Sequence, residues 1–221
     1  MIPRELLGNA IVPAGGEELR LFRRGKDYMI VLDRNELMNS RMSGSEEALA
    51  TMTIERLGKR DGHMLIGGYG MGFTLRASYA ALSPSAKITL VELVPEIVLW
   101  AKVFMAELTG DSLDDPRLSL VIGDVADSIR TGSYDAILLD VDNGPDGLTR
   151  DANDRLYSAH GLSAAKAALR PGGILAVWSA APDRLFARRL GDAGFAVDEV
   201  TLAARANGKG PRHTIWFAQR R

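Results

Sequence analysis

Apolar positions along this chain change their period several times, and each change marks an element. From Leu19 to Met38 three short runs, Leu19–Phe22, Tyr28–Leu32 and Glu36–Met38, are parted by the turn pairs Gly25-Lys26 and Arg34-Asn35. Short strands with such turns between them predict a small antiparallel meander. At Ser43-Gly44-Ser45-Glu46, which fits a capping box, the period lengthens. Leu49, Met52 and Leu57 then lie at near-helical spacing, so a helix to about Leu57 is expected.

Beyond Gly62 short apolar runs take over: Met64–Ile66, Ile88–Val91, Leu118–Ile122, Ala136–Leu139 and Ile174–Trp178. Such runs are the mark of parallel strands covered on both faces. Helical stretches alternate with them, from Phe73, over Ile97–Leu108 behind Pro95, over Val125–Ile129, Leu156–Leu169 and Arg184–Leu190. Arg170-Pro171-Gly172-Gly173 reads as a turn, and Val141–Asp154 as an irregular loop. The last two strands, Phe195–Leu202 and Thr214–Ala218, flank a basic loop, Arg205–Arg212, and pair as a hairpin. The fold class expected is α/β: a doubly wound, mostly parallel seven-stranded sheet with an antiparallel C-terminal hairpin at its edge. Residues 1–44 form a meander that serves as lid or dimer contact, and residues 45–221 form the main domain.

Composition narrows the function. The net charge of the 221 residues is −1, which recommends neither nucleic acid nor an anionic membrane as partner. There is no cysteine, so disulfides and thiolate chemistry are excluded and a reducing cytoplasm is the default compartment. Neither a signal peptide nor a membrane span is expected. His160 and His213 have no partner at metal-ligand spacing, and no metal is expected.

The glycine turn carries the candidate chemistry. Met64–Ile66 delivers the chain into Gly67-Gly68-Tyr69-Gly70-Met71-Gly72 before the helix that starts at Phe73. A dinucleotide fingerprint starting at Gly68 needs its third glycine where Phe73 stands, so pyrophosphate is the poorer ligand. Gly68-x-Gly70-x-Gly72 instead resembles the first motif of Rossmann-like transferases that bind S-adenosylmethionine or its decarboxylated form. Acids stand at the carboxyl ends of the following strands, where such sheets bind ligands. Glu92 is spaced to accept both ribose hydroxyls. Asp124 is placed for an adenine amine, with the Val125 backbone as donor, or for a helix N-cap. Asp140 ends an apolar strand, where a carboxylate needs a cation or a proton.

Taken in order, Ile66-Gly67-Gly68, Val91-Glu92-Leu93, Asp115-Pro116-Arg117, Gly123-Asp124, Tyr134–Asp140, Gly144-Pro145, Leu156-Tyr157 and Leu169–Leu175 resemble the spermidine synthase family, the aminopropyltransferases, over residues 27–179. The resemblance implies a Rossmann-like fold. It also implies that Gly67, Gly68, Gly70, Gly72, Glu92, Leu93, Asp124, Val125 and Asp140 hold a sulfonium donor. Asp140 would take the proton of the attacking amine, with Asp142 and Tyr157 as further catalytic candidates. Departures from the family pattern matter as much. Its turn carries an aspartate that grips the amine of the decarboxylated donor, and here that position is Gly70. The second acid of its catalytic loop is displaced to Asp142. Leu37 and Ser45 replace its pocket glutamine and tyrosine, while Glu47 keeps an acid.

S-adenosylmethionine carries its own carboxylate, which an aspartate at position 70 would repel. Gly70 removes that repulsion, so methyl transfer from S-adenosylmethionine to a small amine is the first expectation. Eleven aspartates and no glutamate between Asp111 and Asp154 also favour an amine acceptor. The alternatives are aminopropyl transfer from decarboxylated S-adenosylmethionine to a polyamine, and a non-catalytic nucleoside-binding module. A homodimer through the meander is a further expectation.

Overall fold

The computed structural model describes residues 2–13, 15–141, 144–145, 155–205 and 207–221, and these fold into two sheets. The smaller is the meander β1 (Glu5–Ile11), β2 (Glu18–Arg24), β3 (Asp27–Leu32) and β4 (Asn35–Asn39), antiparallel and in chain order. The strand β1 was not foreseen. Its residues Glu5-Leu6-Leu7-Gly8-Asn9-Ala10-Ile11 do not alternate cleanly, because a bulge shifts the register between Leu6 and Gly8. Gly8 lies flat against the Trp100 indole, where a side chain would collide.

The larger sheet has seven strands: β5 (His63–Gly67), β6 (Lys87–Glu92), β7 (Leu118–Ile122), β8 (Tyr134–Leu139), β9 (Leu169–Ser179), β10 (Phe195–Ala203) and β11 (Arg212–Arg220). Their order is β10-β11-β9-β8-β5-β6-β7, with β5 to β9 parallel and β11 antiparallel to both neighbours. The expected sheet is thus present, with one difference at the hairpin. The last strand, β11, is inserted between β9 and β10, since its run His213–Ala218 is buried throughout while β10 is largely solvated. Arg170–Gly173, expected as a free turn, lies within β9 as an irregularity in its pairing with β8.

Helices α1 (Gly44–Leu57), α2 (Phe73–Ala81), α3 (Pro95–Val103) and the short α4 (Ala106–Thr109) follow one another along the chain, as do α5 (Val125–Thr131), α6 (Ala159–Ala168) and α7 (Arg184–Asp192). Successive strand residues point to opposite faces, and the core divides accordingly. Met64, Ile66, Ala136 and Leu138 pack with Leu49, Leu75, Ile97 and the meander residues Leu21, Ile30 and Leu32. Leu65, Ile137 and Leu139 pack with Ile129, Leu162, Phe186 and Leu190 on the other face. The meander therefore shares its core with α1, α2 and α3. The Tyr28 hydroxyl donates to the Phe104 carbonyl at 2.7 Å, where the helical run expected over Ile97–Leu108 is broken in two.

At the amino ends of the strands the buried Asp135 gathers a backbone donor and two half-exposed cations. Asp135 accepts from the His63 backbone at 2.7 Å and from Lys59 at 3.1 Å, and pairs with Arg170. No helix among the described residues is long and apolar enough to cross a membrane.

Candidate active site

Gly67 ends β5 at the point where the strand order reverses between β5 and β8. The backbone there is crowded. The Asp140 N–H donates to the Gly67 carbonyl at 2.9 Å and the Gly68 N–H to the Val91 carbonyl at 2.8 Å. A Cβ on Gly68, whose φ is +87°, would run into the Asp140 carbonyl oxygen. Only glycine fits between the two strand ends. Gly70 is different: at φ +54° its Cβ position is 3.1 Å from Met38 Sδ, so what a side chain would meet is the sulfur of the meander residue Met38.

Above this turn lies a cavity of about 950 Å³ including its open mouth. Its floor is Gly68, Gly70, Glu92, Gly123, Asp124 and Asp140, and its roof is Val12, Leu19, Ile30, Leu32, Leu37 and Met38 of the meander and its loops. Leu93 and Val125 line its walls. An apolar chamber with a few polar groups at one end suits a nucleoside-sized ligand.

Glu92 is 5% exposed rather than a solvated strand-end acid. Its Oε2 accepts from the Tyr69 N–H at 2.8 Å and its Oε1 from the Val94 N–H at 2.9 Å. Burial pushes its carboxyl above the ordinary value and these backbone donors pull it back. One carboxylate thus ties the glycine turn to the start of α3 while lining the cavity. Asp124 is exposed and caps α5, its Oδ1 accepting from the Ala126 N–H at 2.8 Å. The cap expected for it is formed, and the residue also faces the cavity mouth.

Asp140 faces the inner end. Its Oδ2 accepts from Thr74 Oγ1, on the first turn of α2, at 2.6 Å. Burial pushes its pKa up to about 6, against the pull of that hydroxyl. Behind it stands a second acid, Glu46, which the sequence offers only as the end of a capping box. Glu46 is pushed up to about 8, first by burial and then by the charge of Asp140. Ser45 Oγ donates to Glu46 Oε2 at 2.6 Å, and the same oxygen lies 2.8 Å from His213 Nδ1. Burial holds His213 below its ordinary value, and its ring packs edge-on against Trp178 with centroids 4.7 Å apart.

This geometry corrects the capping box. Ser43 stands at the N-cap position of α1 but makes no side-chain cap, and the Glu46 carboxylate is engaged by Ser45 Oγ instead. Glu47, expected to keep the family acid, lines a groove with Thr51, Phe73 and Arg76 instead. A signal for Glu46 was available. Glu46 is half-buried and stands three, four and seven residues before Leu49, Ala50 and Thr53, at the edge of the buried stripe of α1.

Of the three catalytic candidates, Asp140 alone is brought to the cavity among the described residues. Tyr157 is 1% exposed and stacks edge-on with Phe186, 5.4 Å between centroids, in the core of the opposite face. Leu156-Tyr157 precedes α6, and its large side chains close that core instead of reaching an acceptor. Asp142 lies outside the described residues. Trp178 packs in the core. Among the described residues no group of His, Cys, Asp or Glu is arranged to hold a metal ion.

Comparisons with known proteins bear on the family and the fold. Residues 44–183 match the family model for the spermine/spermidine synthase domain. A polyamine aminopropyltransferase of Korarchaeum cryptofilum is 33% identical over 135 residues, 60% of this chain and 40% of that protein. One of Mycobacterium tuberculosis is 28% identical over 172 residues, 75% of this chain and 31% of that protein. The chain spans less than half the length of these curated relatives. Spermidine synthase from Thermotoga maritima superposes with a TM-score of 0.77 at 19% identity, covering 98% of this chain and 73% of that one. A spermidine synthase in complex with the transition state analogue AdoDATO gives the same score and identity, covering 98% and 72%. At such identity the structural likeness speaks to the fold.

Proposed function

The chain belongs to the spermine/spermidine synthase family, and from that premise we propose that it transfers an aminopropyl group from decarboxylated S-adenosylmethionine to a small amine. The observation that carries this reading is the Asp140 carboxyl, which lines the cavity and accepts from Thr74 Oγ1 at 2.6 Å, with Glu46 behind it at the start of α1, its backbone carbonyl 3.3 Å from the same hydroxyl. Two neighbouring carboxyls raise each other's pKa, and a cation arriving at the one that lines the cavity reverses the effect. Amine groups of donor and acceptor are such cations. Curated relatives bearing the name polyamine aminopropyltransferase support the same choice over methyl transfer.

In this reading the glycine turn and Leu93 hold the adenosyl part. Glu92 accepts the ribose hydroxyls on lone pairs that Tyr69 and Val94 leave over. Asp124 takes the adenine amine with the oxygen not engaged by Ala126, and Val125 offers its backbone. The cradle fits such a group, because Gly68 and Gly70 leave bare backbone beneath the cavity. Asp140 then takes a proton from the acceptor ammonium, leaving a neutral nitrogen. That nitrogen bonds to the carbon beside the sulfonium, the carbon–sulfur bond breaks with its electron pair going to sulfur, and the nucleoside thioether departs. The positive charge ends on the product amine, so one proton is released per turnover. Alignment of nitrogen, carbon and sulfur supplies the rest of the acceleration.

A second reading, methyl transfer, rests on Gly70, which offers no acid to an amine-ended donor tail. Thermal unfolding with ligands separates the two. Stabilisation by methylthioadenosine and the decarboxylated donor is expected. Stabilisation by S-adenosylhomocysteine alone would favour methyl transfer, and no stabilisation by any of them would remove both.

A further inference from the structure

Thr74 stands where its single hydroxyl hydrogen has two takers. It is the second residue of α2 and is 2% exposed. Its Oγ1 lies 2.6 Å from Asp140 Oδ2, at the end of β8, and 3.3 Å from the Glu46 carbonyl oxygen, on the first turn of α1. Helix α2 opens without a side-chain cap at Gly72 and without an acid in its first turn, so the carboxylate reached through Thr74 is the acid which that turn engages. A hydroxyl with one hydrogen serves one acceptor at a time. The shorter contact and the charge of the carboxylate both favour Asp140. The oxygen so engaged already faces a hydrogen, and a second one placed on it would force the Thr74 hydroxyl round to the longer contact with the Glu46 carbonyl. A proton arriving at Asp140 therefore settles on Oδ1.

We infer that Thr74 is the positioning residue of the Asp140 base: its hydroxyl holds Oδ2 and so directs the acceptor's proton to Oδ1, the oxygen left for the cavity. The inference rests on the group-transfer reading, in which Asp140 takes that proton. The acceptor ammonium gives its proton to Oδ1, and its nitrogen keeps the electron pair with which it bonds to the carbon beside the sulfonium. The Oδ1 proton passes to water at the open mouth of the cavity once the products leave. Thr74 donates to Oδ2 throughout, so it gives up no hydrogen of its own and nothing in it has to be reset between turnovers. The same donor stabilises the ionised carboxyl more than the protonated one, which pulls Asp140 down against the burial that raises it. Its charged neighbours do not supply that pull. Among the described residues these are Glu46 on α1, whose charge opposes it, and, lining the same cavity, Glu92 at the end of β6 and Asp124 ahead of α5. No Lys, Arg or His among the described residues lines the cavity.

Carbon NMR of the Asp140 side chain tests this without reference to turnover. The carboxyl titrates at about 6 in the wild type. Thr74→Val, or Thr74→Ala where the valine does not fold, removes the donor, and the midpoint rises by about one pH unit or more. Thr74→Ser keeps the hydroxyl and returns the midpoint towards the wild-type value. In the kinetic arm the acid limb of kcat/KM, which reports the ionised base, moves up with the midpoint in the variants lacking the hydroxyl and returns in Thr74→Ser, while the donor KM is unchanged. A merely structural role would lower the unfolding temperature and leave midpoint and limb in place. A folded Thr74→Val or Thr74→Ala protein with an unmoved carboxyl midpoint would therefore overturn the inference, and so would a Thr74→Ser protein that behaves like the valine. Absence of turnover in the wild type would strike the group-transfer reading instead, and the carboxyl midpoints of the variants would still decide whether Thr74 holds Asp140.

Discussion

Between them, Gly70 and Asp140 set the charge at the inner end of the cavity. Substituting Gly70→Asp places an acid against Met38 Sδ, a flexible neighbour, at a φ of +54° that aspartate tolerates better than most residues. Such a variant should lose affinity for S-adenosylhomocysteine by tenfold or more relative to methylthioadenosine, as calorimetry would read, because one carries a carboxylate and the other does not. Asp140→Asn should abolish turnover by about a hundredfold or more while the thermal shift with methylthioadenosine persists. Full turnover in that variant would remove Asp140 from the chemistry. Glu46 gives a pH signature. Its folded pKa, about 8, lies above the ordinary carboxyl value of 4.5, so the unfolded chain loses this proton first. Stability is therefore fully present below 4.5 and falls as pH rises towards 8. Glu46→Gln should flatten that decline in urea titrations across the same range, and an unchanged slope would contradict the burial of Glu46. At this scale the sequence spoke unevenly. Glu92 and Asp140 were legible as cavity-lining acids because strand ends in a parallel sheet open onto the crevice. Glu46 was hidden by a capping-box pattern that it matches in spacing and does not form.

Among the elements, the N-terminal meander does more than cover the sheet. Ile30 is fully buried, belongs to the shared core and also lines the cavity. Ile30→Ala should destabilise the protein by about 2–5 kcal/mol and weaken nucleoside binding together, measured by urea unfolding and by ligand titration. A loss of stability with unchanged binding would mean that the roof is not part of the site. The strands β2 to β4 announced themselves by short runs and turn pairs. The first, β1, did not, since its bulge at Gly8 breaks the period and its packing on Trp100 is a tertiary matter. Similar reasons explain β9, where Arg170 is held by Asp135 and the Pro171-Gly172-Gly173 turn is absorbed into the strand. Several motif residues that carry the family resemblance therefore serve the fold. Arg117 is held by Asp115 at 2.8 Å and lies over the Tyr79 ring at 4.6 Å, well away from the chemistry.

Across the whole molecule, the cavity exists because two sheets meet. The parallel sheet supplies bare backbone and acids at its carboxyl ends, and the meander supplies an apolar ceiling. Buried carboxyls at that junction are costly unless protonated or paired with a cation, and the proposed substrates are cations. The parallel sense of the central strands was readable from the alternation of apolar runs with helices, and the insertion of β11 between β9 and β10 was not, because hairpin pairing says nothing about which strand faces inward. Product analysis tests the central claim most directly. The protein is incubated with a diamine and either decarboxylated S-adenosylmethionine or S-adenosylmethionine, and the nucleoside product is identified by mass. Methylthioadenosine from the decarboxylated donor, with the diamine extended by an aminopropyl group, is the result expected. S-adenosylhomocysteine from the other donor, with a methylated amine and no methylthioadenosine, would contradict it.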